Sequence, residues 1–149
     1  MKTFGMESVM QITKALADRQ RIRILMLLQG RELCVCQIIS VFDLAPSTIS
    51  KHLAILSSAG LVEHRKDGRW AYYRLSGGSA DLMIRSALQW VEASLRGDKV
   101  VEEDARKIAK IMKCNPEVLC QQMRNGRESS SSAPATPAEA RWPKGGPVL

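Results

Sequence analysis

The stretch "PSTISKHLAILSSAGLVEHRKDGRWAYYRL", residues 46–75, decides the fold. It opens with Pro46 in the first turn of a predicted helix, and Gly60 ends that helix. Two strand-like runs follow and are joined at Asp67-Gly68, which is a strong signal for a β-hairpin. A helix that leads directly into a hairpin is the order expected for the recognition helix and wing of a DNA-binding domain.

Helical patterns lie on both sides of this stretch. Apolar residues recur at helical spacing in residues 4–16 and 18–30, and a short helix is predicted from about Glu32 to Val41. Two further helices are predicted at 80–96 and at roughly 99–113. The order of these elements predicts a mainly α-helical winged helix-turn-helix with a β-hairpin wing.

The composition limits what such a chain does. Its 149 residues are enough for one domain, and the net charge of +7 favours a polyanionic partner. No apolar run is long enough for a membrane span and no signal peptide is recognisable, so we expect a cytoplasmic protein without a membrane partner. In that reducing compartment, the four cysteines are expected to be thiols for metal or redox chemistry. No catalytic nucleophile set, phosphate loop or catalytic metal motif is recognisable, which predicts that the chain is not an enzyme.

Three segments are predicted along the chain. Residues 1–97 form the DNA-binding domain, and residues 98–123 form a C-terminal helical segment that contains Cys114 and Cys120. Residues 124–149 are rich in Ser, Pro, Ala and Gly, and they contain too few apolar residues to offset the entropy of ordering them. We therefore expect this last segment to be a disordered tail.

The predicted DNA contacts come from the recognition helix and the wing. With Ile49 on the buried face of the helix, the hydroxyl and basic side chains fall on the outward face or on its flanks, where they suit a major groove. His52 lies at the border of the buried face, and the sequence is equally consistent with a phosphate contact and with packing against the core. The alternative for the whole set is a solvated basic surface. The candidate contacts are Ser47, Thr48, Ser50, Lys51, His52, Arg65, Lys66 and Arg69.

The motif "ELCVCQI" (32–38), followed by the stretch 46–75, resembles the ArsR/SmtB family of bacterial metalloregulatory repressors, and specifically its arsenical-responsive branch. The similarity covers roughly residues 7–95. It implies a homodimeric repressor that holds double-stranded operator DNA and releases it when an inducer binds. It also implies dimer contacts through the helices at 4–16 and 80–96. The implied inducer is As(III) or Sb(III), with no permanent cofactor.

Cys34 and Cys36 are the thiols that the resemblance implies as inducer ligands. Residues two apart on a regular helix point about 200° apart, so both thiols reach one ion only if residues 33–38 kink or unwind. Thiolates are the ligands that soft metals and metalloids prefer. We therefore expect inducer binding to distort the segment directly before the recognition helix and to lower the affinity for DNA.

The sequence departs from the arsenical-responsive pattern after the second cysteine. A third cysteine would stand at the position of Ile39, and Gln37 replaces the usual acidic residue. A third thiolate must come from Cys114 or Cys120, on the same or the other subunit, or the site is two-coordinate with solvent. Asn115-Pro116 is expected to break the helix between the two distal cysteines and to let both approach the site. The alternative is that either distal thiol is a free cysteine without a ligand role.

Other inducers and roles remain open at this point. A zinc sensor of the same family would need Asp and His at one end of the helix after the wing and His and Glu at the other, whereas Asp81 stands alone and no His follows His64. A cadmium or lead sensor can share the Cys-Val-Cys motif but takes further cysteines from an N-terminal arm, and no Cys precedes Cys34. A thiol-redox repressor is a further alternative, as is an architectural DNA-binding protein with inert cysteines.

Overall fold

The structure is a computed structural model, and it describes residues 5–77, 81–114, 118, 119 and 121. The predicted tail at 124–149 and Cys120 lie outside the described residues. No helix in the described part of the chain is long and apolar enough to cross a membrane. The elements in chain order are α1 (Met6–Leu16), α2 (Arg19–Leu27), β1 (Leu33–Cys34), α3 (Val35–Val41), α4 (Pro46–Ser58), β2 (Val62–Asp67), β3 (Trp70–Leu75), α5 (Leu82–Ser94) and α6 (Lys99–Ile111).

This order confirms the predicted winged helix-turn-helix with a β-hairpin wing. The start of α3 was predicted wrongly: the helix begins at Val35 rather than near Glu32, because Leu33 and Cys34 are extended and form a third strand. The hairpin loop is also one residue later than the sequence suggested. Asp67 pairs with Trp70 across the hairpin, which leaves Gly68 and Arg69 as the loop residues.

Local signals set the ends of the recognition helix α4. Pro46 occupies its first turn, where a missing N–H costs nothing. At the other end, the N–H of Gly60 donates to the carbonyl of Ser57, and the N–H of Leu61 donates to that of Leu56, both at 3.0 Å. These two bonds form a Schellman motif, in which Gly60 adopts a positive φ of 78°. The chain is thereby turned sharply from α4 into the wing.

The three strands form an antiparallel sheet in the order β1-β3-β2. Cys34 of β1 lies opposite Tyr72 of β3, and Tyr72 in turn lies opposite Arg65 of β2. The strand that contains the first thiol is therefore part of the same sheet as the wing.

Within the described residues, an apolar core joins the helices to the base of this sheet. The helix α6 contributes to it through Ile108, which is completely buried, and packs against α2 and α3. An ion pair anchors α6 as well: Arg23 of α2 donates to both carboxylate oxygens of Asp104, each at 2.8 Å. The carboxylate raises the pKa of the Arg23 guanidinium, mainly through these hydrogen bonds. The helix α6 is thus packed on α3, the helix that follows Cys34.

Candidate nucleic-acid interface and thiol site

The recognition helix presents one apolar and one polar face. Ile49, Leu53 and Leu56 are completely buried, as the helical spacing predicts. On the other side, the side chains of Ser47, Ser50 and Lys51 are exposed, and that of Thr48 is half-buried. Short hydroxyls beside one lysine can donate and accept hydrogen bonds at base edges or phosphates. The outward face of α4 therefore has the chemistry of a major-groove reader.

His52 faces the protein more than the solvent. Its side chain is half-buried, and Nδ1 lies 3.5 Å from Nη1 of Arg21. Arg21 also donates from Nε to the carbonyl of Ala15 at 2.8 Å and from Nη2 to that of Lys14 at 3.0 Å. His52 thus lies against an arginine that binds the C-terminal end of α1, which favours packing over a phosphate contact for this residue.

The three predicted wing cations have different surroundings. Arg69 in the loop is exposed, and Lys66 is half-buried. Arg65 is engaged within the protein: its Nη2 lies 2.5 Å from Oε1 of Glu32, and its guanidinium lies over the ring of Tyr72, 4.5 Å from the centroid. The hydrogen bonds that Arg65 donates to Glu32 are the main cause of the raised pKa of Arg65. Of these cations, Arg69 is the most accessible to a phosphate.

The first thiol is built into the start of α3. Cys34 is the N-cap residue, with extended backbone angles of φ −75° and ψ 155°, and it is 1% exposed. Its Sγ accepts the backbone N–H of Gln37, and its own N–H donates to Oε1 of Gln37 at 2.9 Å. This is a capping box with a thiol in place of the usual hydroxyl. Because Cys34 precedes α3, the two thiols do not share a regular helix, and the predicted helical geometry of the pair is wrong.

Sequence reasoning gave no role to Gln37 or Glu32. The signal for Gln37 was present, since Cys34-x-x-Gln37 has the spacing of a capping box and would have placed the start of α3 at Val35. The signal for Glu32 was absent, because its partner Arg65 is 33 residues away.

The surroundings of Cys34 hold the thiol in its protonated form. Burial raises the pKa of the Cys34 thiol, and hydrogen bonds from the backbone of Gln37 and Cys36 offset part of that rise. A soft ion that binds this sulfur must therefore displace a proton from a buried group. Such a site favours a ligand that forms a strong bond to sulfur.

The other cysteines differ in their state. Cys36, in the first turn of α3, takes part in a disulfide, whereas Cys34 and Cys114 are free thiols. Cys114 is exposed after the end of α6, with Sγ 3.9 Å from the carbonyl oxygen of Lys110. Within the described ranges, no group of three His, Cys, Asp or Glu side chains is arranged to hold a metal ion. A role for Cys114 or Cys120 as a third ligand therefore stays a prediction.

Comparison with known proteins places these features in a family. The profile described as "Bacterial regulatory protein, arsR family" matches residues 18–64, from the cap of α2 into β2. The homodimeric winged helix-turn-helix DNA-binding domain of Mb0332 from Mycobacterium bovis is 35% identical, with a TM-score of 0.50, over 60% of this chain and 82% of that one. The chain belongs to the arsR family. The fold and the family are those of DNA-binding transcription regulators, not of enzymes.

Two relatives are named for the resistance that they regulate. The arsenical resistance operon repressor of Escherichia coli is 46% identical over 67 residues, which are 44% of this chain and 57% of that protein. The cadmium resistance transcriptional regulatory protein CadC homolog of Staphylococcus aureus is 33% identical over 81 residues, 53% of this chain and 66% of that protein. The chain thus spans less than two thirds of the length of either relative.

Proposed function

We propose that the protein is a homodimeric repressor that releases its operator when trivalent arsenic or antimony binds cysteine thiolates. The observation that carries this proposal is the position of Cys34. The buried thiol of Cys34 caps α3, the backbone of Cys34 pairs with β3 of the wing, and α3 is followed by the recognition helix. The similarity to the E. coli arsenical repressor supports the choice of inducer. A regulator of this kind acts in the cytoplasm, on the resistance genes next to its operator.

The proposed DNA contacts combine groove reading with phosphate neutralisation. Ser47, Ser50 and Lys51 enter the major groove, flanked by Thr48, while the exposed Arg69 at the tip of the wing meets the backbone. The net charge of +7 adds a sequence-independent attraction to DNA. A two-fold dimer places its two recognition helices about one helical turn apart on a pseudo-palindromic operator.

Exposed apolar side chains on α1 and α5 support the dimer. These two helices lie far apart in the chain, and each leaves large apolar side chains exposed to solvent in a single subunit. Such surfaces mark protein contacts, and the M. bovis domain is homodimeric. The residues are Met6 and Met10 on α1 and Leu82, Met83 and Trp90 on α5.

The proposed inducer chemistry works against the capping box. Arsenous acid exchanges one hydroxyl for each thiol that it binds, and each As–S bond formed releases one water. The sulfur of Cys34 then no longer accepts the N–H of Gln37. Loss of an oxygen cap costs about 1 kcal/mol, and loss of a thiol cap costs less because sulfur is a weaker acceptor. Binding therefore opposes the start of α3 and, through it, the placement of α4. The second sulfur comes from reduced Cys36, and the third from Cys114 or Cys120, or solvent completes the site.

The test uses fluorescence anisotropy of labelled operator DNA with protein that a phosphine has reduced, because dithiols would themselves bind arsenic. Arsenite and antimonite should release the DNA, and zinc should not. Cys34→Ser and Cys36→Ser should each abolish the release and leave DNA binding intact, because serine is nearly isosteric but lacks a soft thiolate. Release by zinc but not by arsenite would refute the proposed inducer.

Two observations each favour an alternative inducer: one favours cadmium and the other favours an oxidant. The CadC homolog of S. aureus shares this part of the chain, and Cys36 takes part in a disulfide. The same assay therefore includes cadmium and, in a metal-free arm, hydrogen peroxide. Release by cadmium alone would identify a cadmium sensor, and release by peroxide that a phosphine reverses would identify a thiol-redox repressor.

A further inference from the structure

Three side chains form a row across the sheet, from β1 (Leu33–Cys34), here called the thiol strand, to the hairpin wing. Cys34 lies opposite Tyr72, and Tyr72 lies opposite Arg65. Directly opposed residues of antiparallel strands have their side chains on the same face. The guanidinium of Arg65 over the ring of Tyr72, at 4.5 Å, agrees with this arrangement.

Glu32 links the outer end of this row back to the thiol strand. It stands two residues before Cys34, and its carboxylate accepts from two N–H groups of Arg65. The Nε–H is shared between both carboxylate oxygens, at 3.1 and 3.2 Å, and Nη2 donates to Oε1 at 2.5 Å. The two side chains are only 20% and 28% exposed, which shields the pair from water and salt. The wing is therefore attached to the segment before Cys34 by a side-chain bridge as well as by the β1–β3 pairing.

We propose that the Glu32–Arg65 pair is a positioning contact that transmits inducer binding at Cys34 to the wing. This inference rests on the proposed function. When an ion draws Cys34 out of its capping position, β1 moves relative to β3 and Glu32 moves with it. Arg65 then loses its carboxylate partner, and the wing leaves the orientation in which it meets DNA.

The chain offers a matched control. Glu63 of β2 accepts from Arg74 of β3, with both Nε and Nη2 at 3.3 Å from its Oε2. Glu32→Gln and Glu63→Gln change the same residue type, add the same charge and each weaken one Glu–Arg pair of the sheet. The Glu32–Arg65 pair joins β2 to the residue before β1, whereas the Glu63–Arg74 pair joins β2 to β3.

The measured quantity is the ratio of operator Kd with saturating arsenite to operator Kd without it. Couplings of this kind are typically about 5- to 150-fold. We expect Glu32→Gln to retain less than about a third of the parental ratio, and Glu63→Gln to stay within about twofold of it. Arg65→Gln, alone or combined with Glu32→Gln, should reduce the ratio by the same factor as Glu32→Gln, because the two groups act as a unit. Equal ratios for the two Glu variants would overturn the proposal.

A second measurement separates this inference from the proposed function. Hydrogen–deuterium exchange without inducer should show faster exchange in β1 for Glu32→Gln than for Glu63→Gln, because Glu32 stands next to β1 whereas Glu63 and Arg74 both lie in the hairpin. If the parent protein does not respond to arsenite, the proposed function fails. The exchange comparison of the two variants then tests by itself whether the Glu32–Arg65 pair couples β1 to the wing. Equal exchange in the two variants would then refute it.

Discussion

Replacing Asp104 by alanine should destabilise the protein by about 3 kcal/mol. The Asp104 side chain is 4% exposed, and both of its oxygens accept from Arg23 at 2.8 Å. Removing one partner of a buried ion pair costs about 3–5 kcal/mol, because a buried charge is left unpaired. The lower end applies here, since Arg23 is 18% exposed, lies 4.5 Å from the centroid of the Phe42 ring and donates to Gln20 at 2.7 Å.

The assay is urea unfolding followed by circular dichroism, at one fixed protein concentration because dimerisation contributes to stability. Glu103→Ala is the matched control: this exposed acid precedes Asp104 on α6 and should change the free energy of unfolding by less than about 0.5 kcal/mol. Arg23→Met combined with Asp104→Ala should recover part of the loss, because no unpaired charge remains. A loss below about 1 kcal/mol for Asp104→Ala would refute the reasoning that this pair anchors α6.

Three further predictions concern DNA, pH and the C-terminal segment. Lys51→Ala should weaken operator binding, and Arg69→Ala, which removes one phosphate contact from each of the two subunits, should reduce the slope of log affinity against log salt by about 1.8; unchanged binding in both would contradict the proposed groove contacts. Burial raises the pKa of the Cys34 thiol in the folded protein above its ordinary value. The contribution of the protonated thiol to the free energy of unfolding is therefore complete below the ordinary thiol pKa, and it is lost as the pH rises through the higher pKa of the folded state. Cys34→Ser should therefore lessen the fall in unfolding free energy between roughly pH 8 and 9.5, measured by urea titration. Deleting residues 126–149 should leave operator affinity and melting temperature nearly unchanged, and a large drop in melting temperature would show that this segment packs on the domain.

Sequence alone determined the recognition helix α4 and the hairpin wing. Pro46 and Gly60 act within one turn of the helix ends, and Gly68 acts within the hairpin loop, so each signal works through neighbours in the chain. The buried face of α4 was equally predictable, because helical spacing assigns Ile49 and Leu53 to one side without knowledge of what covers them. The exposure of Lys51 and its neighbouring serines follows from the same periodicity.

Tertiary structure decided how the thiol segment is attached. The residues before α3 form a strand because Leu33 and Cys34 pair with β3. No local sequence pattern predicts this pairing. Arg65 carries the charge of a phosphate contact, yet it binds Glu32, 33 residues away, and Arg23 finds Asp104 at a separation of 81 residues. Partners so distant in the chain meet only when the whole core has packed, because burial of apolar surface, and not local preference, brings their elements together.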